Sequence, residues 1–132
     1  MDLKLHIVTL FVANYDDAIR YFTKTLGFTL VEDILITTSR RWVKVAPDIQ
    51  SPVHVLLHEP LIKEEQALIG KQAGSRPLIV LSTQDIANVV NTLTNRGVQF
   101  TKPITKEVYG ERAQFTDLYG NLWELVQYSL FS

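Results

Sequence analysis

The spacing of apolar and polar positions changes several times along the chain, and each change marks an element. Leu3 to Val12 is rich in β-branched and aromatic residues and predicts a strand. Asn14 to Asp17 follows, a capping side chain with an acidic residue three positions on, which is how helices begin. Tyr15, Ala18, Ile19, Phe22 and Leu26 recur at helical spacing and give one apolar face. Gly27 supplies the left-handed residue that ends such a helix. Phe28 to Thr37, Arg41 to Val45 and Val53 to His58 then read as three strands. Asp48 to Pro52 carries the turn residues between the last two.

The same order returns. Leu78 to Leu81 predicts a strand, and Ile86, Val89, Val90 and Leu93 form the apolar face of a second helix closed by Gly97. Val98 to Phe100 begins another strand, Arg112 to Thr116 a further one, and Leu122 to Tyr128 the last. Gly27 and Gly97 are equivalent points, 70 positions apart. Strand, helix and three strands are therefore stated twice, an internal duplication. It divides the chain into a first module over 1–58, a joining segment over 59–76 and a second module over 77–132. The joining segment holds Pro60, Gly70 and Gly74 and reads as a loop with a short helical piece.

Composition narrows the function classes. A chain of 132 residues fits one domain with its own core. Its net charge of −1 offers no basic field for nucleic acid or anionic membrane. The absence of cysteine removes disulfides, thiolate metal sites and cysteine nucleophiles. The start, MDLKLHIVTLF, is interrupted by Lys4 and His6 and does not read as a signal peptide, and no apolar run reaches the length of a membrane span. A soluble, cytoplasmic domain is expected.

Three stretches carry a family resemblance: VTLFVAN at the entry to the first helix, YFTKTLGF at its close, and FTDLYGNLWELVQ near the C-terminus. RRWVKVAP, Arg40 to Pro47, adds a fourth. In this order within a duplicated module the chain resembles the vicinal oxygen chelate superfamily, the glyoxalase, bleomycin-resistance and extradiol dioxygenase group. The resemblance implies an α+β fold, with two tandem βαβββ modules forming a cup-shaped eight-stranded mixed sheet and helices packed outside. It also implies a homodimer and a small organic molecule bound inside the cup. In metal-dependent members, His from each module's first strand and acids from each last strand hold a divalent ion.

Glu124 falls where the family keeps its C-terminal carboxylate ligand, and alternation puts Leu122, Glu124 and Val126 on one strand face. The remaining ligand positions are apolar. The first-strand His of similar enzymes corresponds to Ile7, and His6 lies one residue away, which turns it to the other face. The second-module equivalent falls near Leu78, and the first module's acid at Leu56 or Leu57. His54 and His58 are too far apart along a strand to share one ion, at roughly 3.3 Å per residue. No metal triad and no cofactor are expected.

Two functions stay open. The first is a metal-free protein that binds an organic ligand, sequestering it or acting on it as a lyase or isomerase with Glu124 as general base. The second is a glyoxalase- or dioxygenase-type enzyme using Fe, Ni, Zn or Mn on Glu124, with His54, water or a dimer partner completing the site. Whether the protein is an enzyme is open between them. Ligand contacts are expected from Trp42, His54, Tyr109, Arg112, Leu122 and Val126, with Thr9 and Phe11 as further lining. Aromatic rings and a guanidinium suit a flat or anionic organic molecule. Arg40 and Arg41 read as an exposed pair at a strand end. Asp117 and Asn121 are turn residues rather than catalytic ones, and no nucleophile–base arrangement or phosphate loop is readable.

Overall fold

A computed structural model of the chain describes residues 1–129. The strands are β1 (Ile7–Phe11), β2 (Thr29–Thr37), β3 (Arg40–Ala46), β4 (His54–His58), β5 (Ile79–Ser82), β6 (Phe100–Glu107), β7 (Gly110–Thr116) and β8 (Leu122–Tyr128). The helices are α1 (Tyr15–Arg20), α2 (Lys63–Gln66) and α3 (Ile86–Asn95). The strands form two four-stranded mixed sheets, ordered β1-β4-β3-β2 and β5-β8-β7-β6. In each sheet the first and last strands of a module pair in parallel, and the other pairs are antiparallel. The duplication read from the sequence is thus a duplication of topology. The chain divides into two compact units after Gly70, within the joining segment.

In the first unit, Asn14 caps α1 by accepting the Asp17 amide at 2.9 Å. The sequence predicts one helix to Leu26, but after Arg20 it widens into a π-helical turn over Tyr21–Thr25. The Leu26 amide reaches back to the Tyr21 carbonyl, and the Thr23 hydroxyl donates to the Ile19 carbonyl. That side-chain bond competes for a backbone acceptor of the α-helical ladder. Phe22, fully buried against Phe28, sits in the widened turn. The strand expected from Leu3 begins only at Ile7, because β4 offers no partner before His54, whose amide bonds the His6 carbonyl.

In the second unit, α3 packs on β6, β7 and β8. Ala113, Phe115, Trp123 and Leu125 of β7 and β8 are buried. Alternation then assigns Arg112, Gln114 and Glu124 to the opposite, open face. No helix among the described residues is long and apolar enough to cross a membrane.

Candidate functional site

The hairpin between β7 and β8 sets the position of Glu124. Asp117, 7% exposed, accepts the Tyr119 and Asn121 amides at 2.9 and 3.0 Å and the Asn121 side-chain amide at 3.0 Å. Its Oδ2 also accepts the Trp123 indole N–H at 2.8 Å. Trp123 is thereby pinned in the core, its ring stacked 6.0 Å from Phe115. Since strand side chains alternate, anchoring Trp123 turns Glu124 to the open face. Asp117 and Asn121 act as turn residues, and the turn also dictates where the acid points.

Glu124 is only 12% exposed. Its Oε1 accepts from Gln114 Nε2 at 2.8 Å and from Arg112 Nη1 at 3.2 Å. Its Oε2 has no hydrogen-bond partner among the described residues. Arg112 Nε donates to Glu107 Oε1 at 3.1 Å, so the guanidinium bridges two carboxylates. The sequence casts Arg112 as a receptor for an anionic ligand. Instead its charge is met within the sheet, and it orients Glu124.

Register extends the site across the sheet. Val80, Glu124, Gln114 and Lys102 lie side by side on β5, β8, β7 and β6. Val80 is exposed, and Lys102 is half-buried with no ion pair among the described residues. Gln114, Glu107 and Lys102 were not singled out from sequence. Their roles depend on cross-strand partners that spacing along one strand does not reveal. One signal was available for Lys102: it stands 70 positions after Glu32, at the same point of the repeat.

Leu122 is half-buried on the Glu124 face, whereas Val126, opposite Arg112, is only 3% exposed and offers no free surface. Tyr109 occupies the turn between β6 and β7, with its ring 6.0 Å from Tyr128 and its carbonyl accepting the Ser129 amide.

Trp42 and His54 lie on the first unit's sheet. Thr9, Leu56, Lys44 and Glu32 form the row equivalent to that of Glu124. Here the charges pair: Lys44 Nζ lies 3.3 Å from Glu32 Oε1, which also accepts the Trp42 indole N–H at 3.0 Å. Trp42 is therefore held by its own sheet. Phe11 and His58 are in ring contact at 5.9 Å on adjacent strands, and Thr9 is exposed. His54 packs 5.7 Å from His6, and its buried Nδ1 has no partner among the described residues. Arg41 is not the exposed strand-end residue the sequence suggests. It donates to Asp33 at 2.7 Å and to Asp16 at 2.8 Å, and lies 5.3 Å over the Tyr15 ring. These carboxylates, Asp33 foremost, raise its pKa above the ordinary arginine value, so it stays charged.

The donor set at Glu124 does not fit a divalent ion. Its row neighbours are Val80 and Gln114, neither a metal-binding carboxylate nor imidazole, and a cationic guanidinium lies on its Oε1. Among the described residues no group of three or more His, Asp or Glu could hold one.

A family model described as glyoxalase/bleomycin resistance protein/dioxygenase superfamily matches residues 4–125. An uncharacterized protein of Shewanella frigidimarina (strain NCIMB 400) is 38% identical over 121 residues, which cover 91% of this chain and 90% of that one. The crystal structure of UcmS2 superposes with a TM-score of 0.84 at 30% identity, over 96% of this chain and 98% of its own. TnmS3, an antibiotic binding protein from Streptomyces sp. CB03234, superposes with a TM-score of 0.80 at 25% identity, over 98% and 99%.

Proposed function

Because the chain belongs to the glyoxalase/bleomycin resistance protein/dioxygenase superfamily, we propose that it binds a small organic molecule without a metal triad, and that Glu124 is the anchoring carboxylate. One observation carries this. A largely buried carboxylate has one oxygen pinned by Arg112 and Gln114 and the other without a partner. Oε2 is not among the buried atoms that lack a partner, so it reaches solvent and can accept from a ligand donor. Stabilising such a site through a bound guest is the logic of a binding protein. The likeness to TnmS3, which binds an antibiotic, supports a sequestering role.

Lyase or isomerase chemistry is the catalytic form of the same reading. Oε2 would take the proton while Arg112 and Gln114 hold Oε1. A homodimer is part of the proposal. The edge strand β2 leaves Ile34, Leu35 and Ile36 exposed, an apolar edge that a second copy would cover.

The metal-dependent alternative rests on Glu124 standing at the family's carboxylate position. Metal content by mass spectrometry tests it, on protein purified without chelator and offered Ni, Zn, Mn and Fe(II), with Glu124→Gln alongside. The proposal expects no stoichiometric metal in either protein. One ion per chain, lost in the variant, would overturn it.

A further inference from the structure

The two sheets offer an internal comparison. In the first unit the neighbouring positions on β2 and β3 hold Glu32 and Lys44, which neutralise each other at 3.3 Å. In the second unit the same two positions hold Lys102 and Gln114. Gln114 spends its amide on Glu124, so the lysine is left without a carboxylate. The cation and the acid are separated by one neutral residue, Gln114 of β7, with Cα atoms two strand spacings apart, roughly 10 Å.

Each pole has unused hydrogen-bonding capacity of opposite sense. Glu124 Oε2 accepts only, and the Lys102 ammonium donates only. Arg112 does not collapse the arrangement, because it is shared between Glu107 and Glu124. Lys102 is half-buried, which reduces the water available to compensate it.

We propose that this face selects a dipolar organic ligand, with a hydrogen-bond donor such as an amine at Glu124 and an anionic group at Lys102. This rests on the reading of Glu124 as an anchor and adds Lys102 as a specificity-determining residue. A ligand with only an anionic group would meet Lys102 but set an acceptor against Oε2. One with only an amine would leave Lys102 unpaired.

The test is calorimetric titration with three matched probes: 4-(aminomethyl)benzoate, which carries both groups on a rigid ring, benzylamine and 4-methylbenzoate. The dipolar probe is expected to bind about tenfold more tightly than either single-group probe. In Lys102→Met that advantage should vanish over benzylamine, and in Glu124→Gln over 4-methylbenzoate. Unchanged melting temperatures in both variants would establish that the fold is intact, and Lys102→Gln provides a second variant if Met perturbs it. A dipolar probe no tighter than its analogues, or an advantage that survives Lys102→Met, overturns the inference. If neutral aromatic compounds still bind in a Glu124-dependent way, only the dipolar selection fails. If no compound of any class binds, the reading of Glu124 fails with it.

Discussion

An ionised carboxylate offers two oxygens for hydrogen bonding, and the distribution of partners over them separates Asp117 from Glu124. Asp117 uses both oxygens on its own hairpin and on Trp123. Glu124 commits one oxygen and leaves the other. The first pattern closes the turn, and the second leaves one oxygen without a partner among the described residues. Replacing Asp117 with Ala strands buried donors on Asn121 and Trp123, and should lower stability by about 3 kcal/mol or more, read from the urea midpoint. Asp117→Asn keeps an acceptor for the Tyr119 and Asn121 amides and should cost visibly less. Equal losses would show that the Asp117 network is not what holds the hairpin. At this scale much was legible in the sequence. Asp117 and Asn121 announce a turn by residue type, and Glu124 stands out as an acid in an apolar strand. The engagement of Arg112 was not legible, since Glu107 and Glu124 are five and twelve positions away and meet it only through cross-strand register.

Elements show the same division between local and non-local causes. The Asn14 cap and Gly27 stop are written in a few adjacent residues, and the first helix starts where its cap predicts. Strand ends depend on what a neighbour offers, which is why β1 starts at Ile7. The widened turn after Arg20 likewise depends on the Thr23 hydroxyl choosing the Ile19 carbonyl, a choice periodicity does not encode. Gly110 tests how tightly the β7–β8 pairing is set. Its φ is +146°, and a Cβ there would run into the Gln127 carbonyl oxygen of the adjacent strand. Gly97 has a positive φ of +90° but open space around it. Gly110→Ala should therefore cost about 2 kcal/mol or more, and Gly97→Ala only about 1 kcal/mol, compared by thermal unfolding. A Gly110 variant as stable as the Gly97 variant would mean that β8 yields at Gln127.

Over the whole molecule, duplication is the property that sequence reveals best. Both halves repeat strand, helix and three strands, and both sheets have the same strand order. The side chains on the open faces have diverged. Lys102 and Gln114 stand where the first unit has Glu32 and Lys44, and Glu124 where it has Leu56, so a self-neutralised row in one unit corresponds to a row whose lysine has no ion pair among the described residues in the other. Shared topology accounts for family membership, and the divergent rows are where the two units differ in charge. The fold is legible in the repeat, but one fold hosts many functions, which is why the chemistry stayed open in the sequence. The most direct measurement is ligand-induced thermal shift in protein treated with EDTA, wild type against Glu124→Gln, over a panel of small organic compounds. Binding that persists in EDTA and falls by about tenfold or more in the variant is the predicted result. A shift abolished by EDTA and restored by a divalent ion would contradict the account.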